Sequence, residues 1–165
     1  MRTGGRARYE TRFLLASQVT KHRDVEDAQK VFKKAKATTS DNPDFIITDG
    51  LKAYPQAFLQ EFATNKNETP KLVQLESIKK HPNNNLVERL HGTIRERVKV
   101  MRGLGNDQSA QRIADGNKLY YNYLRPHQTL EGKTPAEKAG IDLQLKGNKW
   151  ENLIKKAKQT KKEKS

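Results

Sequence analysis

Residues 83–102, NNNLVERLHGTIRERVKVMR, constrain the fold of this chain more than any other stretch. The run opens on three Asn, a residue type favoured at helix N-caps. Leu86, Val87, Leu90, Ile94, Val98 and Met101 follow at helical spacing. At roughly 100° per residue they share one arc, the face that packs on a core. Glu88, His91, Arg95, Lys99 and Arg102 recur at three- and four-residue steps along an adjoining arc. One acid at a helix start, in line with a row of cations, is the layout of a carboxylate metal ligand beside a groove for phosphates. The same residues also fit a capping box, with Asn85 as N-cap and Glu88 reaching back to it. On that reading the cations are a solvated helix face.

A core-covering helix needs layers to cover, and the rest of the chain offers them in alternation. The TRFLLAS run within residues 9–17 suits a buried strand. Residues 24–36 place Val25, Ala28, Val31, Phe32 and Ala35 at helical spacing behind Asp24 as N-cap. Phe45 to Thr48 forms a second apolar strand and leads straight into Asp49-Gly50. Residues 53–62 read as a helix with Pro55 in its first turn, and residues 72–75 as a third strand. A further helix is expected over residues 109–124, and a short one over 134–139 with Thr134 as cap and Pro135 behind it. Strands alternating with helices predict a layered α/β domain.

The ends differ from this middle. Residues 1–8, MRTGGRAR, lack an apolar pattern and are expected to be disordered. Residues 146–165 form a basic tail, and the Lys-rich run from Lys155 to Lys164 is expected to be mobile. Hydrophobic residues make up only 33% of the chain, consistent with part of it lying outside the core. A formal net charge of +14 calls for a polyanionic partner, most simply nucleic acid. With no Cys, disulfides and thiolate zinc sites are excluded, and the four His have no metal-ligand spacing. No apolar run approaches the ~20 residues of a membrane span, so a cytoplasmic protein is expected.

In layered α/β sheets function collects at the carboxyl ends of strands. Asp49 occupies such an end, although an Asp-Gly pair is equally a common turn. One helix and one strand separate it from Glu88. A carboxylate on a strand end and another on the following long helix can converge on a divalent cation. Mg²⁺ is a hard ion that prefers oxygen ligands. Two such ions can activate an attacking oxygen and stabilise the leaving oxygen of a phosphodiester.

Three blocks carry a resemblance: ITDGLKAY, NNNLVERLHGTIRERVKVMRG and YNYLRPHQTLEGKTPAEKAGI. In order and spacing they resemble the DDE transposases of bacterial and archaeal insertion sequences, relatives of the retroviral integrase core with a ribonuclease-H-like fold. The resemblance spans about residues 11–141 and implies three acids that hold two Mg²⁺ or Mn²⁺ ions for DNA strand cleavage and transfer. Matched residue by residue, Asp49 stands at the second acid and Glu88 at the third. Asn85 stands at the motif position three before Glu88. Arg95 and Lys99, with Arg102 beyond them, match cations near the DNA, and Arg125, Pro126 and His127 match the block after the catalytic helix.

The first acid of the family lies on a strand before TRFLLAS, and MRTGGRARYE contains no Asp. Residues 9–145 are therefore expected to form an incomplete ribonuclease-H-like domain of about three strands with flanking helices, its first two strands missing. The expected function is that of a transposase catalytic domain in an inactive, truncated copy. The alternative is a non-catalytic remnant that binds DNA and modulates intact transposase by mixed assembly; the expected protein partner is intact transposase or further copies of the chain in a homo-oligomer. Partners on either reading are transposon-end and target DNA at the nucleoid; a basic RNA-associated protein would explain the charge but not the three blocks.

Overall fold

The computed structural model describes residues 10–20, 22–39, 43–48, 50–63, 69–74, 92, 95, 96, 99 and 106–163. Helix α1 (Val25–Lys36) starts where the sequence places a cap: the Asp24 carboxylate accepts the Asp27 N–H at 2.9 Å. Acids fill its first turn and lysines its last, complementing the helix dipole at both ends. Strand β1 (Phe45–Thr48) and strand β2 (Lys71–Gln74) pair in parallel, with Phe45 opposite Lys71 and Thr48 opposite Gln74. A parallel pair needs a crossover, and α2 (Ala53–Phe62) supplies it.

Alternation along the strands decides what the helices cover. Ile46 and Leu72 are register partners and therefore share a face. Both pack against a core of Ala28 and Phe32 from α1 with Ala57, Phe58 and Phe62 from α2. The aromatic rings interlock: Phe32 meets Phe62 edge-on with centroids 5.7 Å apart, and Phe58 stacks on Phe62 at 5.5 Å. Small residues let the helices approach, and Ala57 is completely buried.

A second region is built on α3 (Asp107–Leu119), which Asn106 caps by accepting the Ser109 N–H at 2.8 Å. The helix continues without a break into a π-helical segment, Tyr120–Leu124. A 3₁₀ turn (Gln128–Leu130) leads to α4 (Pro135–Lys138), where the predicted Thr134 cap is a complete capping box. The Thr134 N–H donates to Glu137 Oε2 at 2.7 Å, and the Glu137 N–H donates to Thr134 Oγ1 at 3.2 Å.

Two expectations are corrected here. The TRFLLAS run within residues 9–17 buries Phe13 and Leu14 as predicted, but the stretch from residue 12 to 19 pairs with no strand among the described residues. The described sheet therefore has two strands, not three. The backbone of that run is instead met by side chains of α3 and its π extension. Leu14 N–H donates to Asn122 Oδ1 (2.8 Å) while Asn122 Nδ2 donates to Leu14 C=O (2.9 Å). Lys118 Nζ donates to Leu15 C=O (2.6 Å), and Gln111 bridges Ser17 C=O (3.1 Å) and Val19 N–H (2.8 Å).

The basic tail is the second correction. Residues 149–163 form helix α5 (Lys149–Glu163) where only a basic run was expected, and Lys164 of that run lies outside the described residues. Asn148 caps it, accepting the Glu151 N–H at 3.3 Å. The expected helix over residues 83–102 lies mostly outside the described residues, as does Leu75 of the third predicted strand. The backbone is helical at Gly92, Arg95, Glu96 and Lys99.

Candidate functional site

β1 ends at Thr48, immediately before Asp49, so the sequence position of this acid follows the carboxyl end of a parallel strand. Asp49 itself lies outside the described residues, as do Asn85, Glu88, His91 and Arg102. Arg95 and Lys99 are described: both are helical and exposed, and their four-residue separation sets them on one helix face. Thr48 is buried, and its hydroxyl has no hydrogen-bond partner among the described residues.

The block after the long helix resolves into a closed loop. Arg125, half-buried, ends the π segment, and its N–H returns to Tyr120 C=O at 2.9 Å. Pro126 is exposed. His127 then closes the loop from both of its backbone groups. Its N–H donates to Lys133 C=O (3.0 Å), and its C=O accepts from Leu130 N–H (2.9 Å) and Gly132 N–H (3.0 Å). The turn requires left-handed backbone at Glu131 and Gly132, with φ of 58° and 79°, which explains the glycine.

The His127 ring sits edge-on to Tyr121, centroids 4.7 Å apart. Its buried Nε2 has no hydrogen-bond partner among the described residues. Burial holds the imidazole pKa below its ordinary 6.5, and the positive charges of Arg125 and Arg12 lower it further. A backbone hydrogen bond at Tyr121 opposes them. At neutral pH this ring is therefore a neutral packing element, which fits a structural role for the block.

Asn122 was not singled out by the sequence, yet it is fully buried and carries two hydrogen bonds to a segment 108 positions away. No local signal marks it, because the partner backbone lies across the molecule. Gln111 is of the same kind, its partners Ser17 and Val19 lying more than 90 positions distant. Tyr121 is buried and Tyr123 packs edge-on against Phe13 at 6.0 Å, so these rings serve the core.

Metal ligation can be judged by donor chemistry. No group of three or more His, Asp or Glu is gathered among the described residues. Asp49 and Glu88 each carry a hard carboxylate oxygen, a donor type that suits Mg²⁺ or Mn²⁺ and not a thiophilic ion.

A family model for a DDE domain matches residues 8–127, well over half of the chain. This chain belongs to the DDE transposases of insertion sequences. The match begins before the clamped segment at residues 12–19 and runs through Asp49, Glu88 and the Arg95–Lys99 face to His127. It implies a ribonuclease-H-like fold, DNA as the molecule acted on and divalent metal as the family's cofactor. No curated protein and no solved structure matches the chain. No helix among the described residues is long and apolar enough to cross a membrane.

Proposed function

We propose that this transposase domain contributes two carboxylates, Asp49 and Glu88, to a divalent-cation site for phosphodiester chemistry on DNA. The observation that carries the reading is the family match, which passes through both acids and through the cations that follow them. The end of β1 directly before Asp49 agrees with it, since strand ends of parallel sheets are where such sites form. Mg²⁺ or Mn²⁺ bound by the pair supplies Lewis-acid stabilisation of the charge that develops on phosphate oxygens. Arg95 and Lys99, which follow Glu88 in the sequence, hold the DNA backbone beside the acids. Contacts of this kind position the duplex without reading its sequence.

The 165-residue polypeptide by itself holds DNA without cutting it. Two carboxylates can hold one ion loosely. Fixing two ions in line with a scissile bond takes more ligands, and the loss of that preorganisation costs orders of magnitude in rate. The purified polypeptide, incubated with transposon-end duplex and Mg²⁺ or Mn²⁺, is expected to retard the duplex and leave it whole. Efficient metal-dependent cleavage that vanishes in Asp49→Ala would overturn the non-cleaving half of the proposal.

A further inference from the structure

Helix α5 carries a feature that neither the carboxylate pair nor the family match, which ends at residue 127, uses. Its first turns are amphipathic. Trp150, Leu153, Ile154 and Ala157 fall within one arc at 100° per residue. The arc is fixed to the body at its start. Trp150 lies nearly parallel to Tyr120, at an interplanar angle of 11° with centroids 6.4 Å apart, and the Asn148 cap holds the helix entry. The arc then runs off the body: Ile154 remains 52% exposed.

On the other side of the helix Lys155, Lys158 and Lys162 share an arc and are all exposed. Lys155 is engaged by Glu151 at 2.6 Å, an exposed pair that contributes little. Lys156, Lys158 and Lys162 make no ion pair among the described residues. Six lysines against two glutamates leave α5 at about +4, and Lys158 and Lys162 stand four apart as like charges that destabilise an isolated helix. A polyanion along this face removes that repulsion.

We infer that α5 is an arm that grips the DNA phosphate backbone, separate from the carboxylate pair and indifferent to sequence. The inference rests on the reading above that this chain works on DNA. Composition favours a nucleic acid over a lipid surface. Beyond Ala157 the chain runs KQTKKEKS with no apolar residue, whereas a helix that lies in a membrane continues its apolar face along its length. Geometry agrees. Lys155 to Lys162 spans about 10 Å of helix axis at 1.5 Å per residue, close to three 3.4 Å phosphate steps of one strand.

The test is the salt dependence of binding by the full chain to a mixed-sequence DNA duplex, read by fluorescence anisotropy between 50 and 200 mM NaCl. In the triple variant Lys155→Gln, Lys158→Gln, Lys162→Gln, the slope of log K against log salt should fall by about 2–3. Affinity at 50 mM should drop about 10-fold or more. Gln keeps helix propensity, and circular dichroism of the variant should match the parent. The corresponding Lys→Arg triple should keep the parent slope. Parent binding with an unaltered slope in the Gln variant overturns the arm and leaves the DNA reading standing. No duplex binding by the parent overturns both. Tighter binding to phosphatidylserine-containing vesicles than to duplex, lost in the Gln variant, assigns α5 to membranes and overturns the arm.

Discussion

The sheet layer and the clamped segment solve the same problem with opposite materials. In the layer formed by β1, β2, α1 and α2, backbone groups pair with backbone groups and the side chains are left to fill space. Phe32, Phe58, Phe62 and Ala57 do so with no polar atom among them. Around residues 12–19 the backbone is met by the side chains of Asn122, Lys118 and Gln111, which take the place of a neighbouring strand. Thr38 Oγ1 also reaches Leu15 C=O, at 3.4 Å, and ties this segment to the end of α1. The first region tolerates any apolar residues of suitable volume. The second depends on particular amides at particular positions, since a buried backbone group left unpaired costs more than its hydrogen bond contributed. The resembling block around YNYLRPH therefore reports structure as well as function: Asn122 holds the clamp, while His127 closes its own loop.

The largest expected effect lies in the layer. Phe62→Ala removes the buried ring that meets both Phe32 and Phe58 and should destabilise the fold by about 3–5 kcal/mol in urea unfolding. Asn122→Ala leaves the Leu14 N–H and C=O buried without partners and should cost about 2–4 kcal/mol. Native-state hydrogen exchange separates the two: in Asn122→Ala the Leu14 amide should lose protection while amides within α1 and α2 keep theirs. If the two regions are energetically distinct, the double variant is additive to within about 0.5 kcal/mol. A larger coupling would break the comparison and make the molecule one cooperative network.

The smallest effect concerns pH. His127 has a folded-state pKa below 6.5, so the unfolded chain takes up its proton first as pH falls. Its contribution is therefore fully present above pH 6.5 and is lost progressively as pH drops from there towards the folded value. Unfolding midpoints measured from pH 8 to 5 should decline across that window, and His127→Gln should flatten the decline. An equal decline in the variant would place the titrating group elsewhere.

How much of this could be read in the residues depends on the range of each interaction. Caps are local, so Asp24 and Thr134 announced α1 and α4, and Phe45 to Thr48 announced β1. An apolar run reports burial but not pairing, which is why TRFLLAS, within residues 9–17, read as a strand and is instead stitched to α3 and its π extension. The Lys-rich end hid α5 because its apolar positions and its Asn148 cap lie before the lysines that dominate the pattern. Asn122 and Gln111 carried no signal, since their partners lie about a hundred residues away and any polar helix residue looks alike from one side. The carboxylates are the reverse case. Type and spacing mark Asp49 and Glu88 as candidates in the sequence, whereas the meeting proposed for them joins positions separated by 38 residues.

That meeting is open to direct measurement. Mn²⁺ titration of the full chain, followed by electron paramagnetic resonance of free Mn²⁺, should show one weak site that Asp49→Asn and Glu88→Gln each abolish, with the folded circular dichroism spectrum retained. Mn²⁺ uptake that survives either substitution would show that Asp49 and Glu88 do not share an ion, and the proposed site would fall.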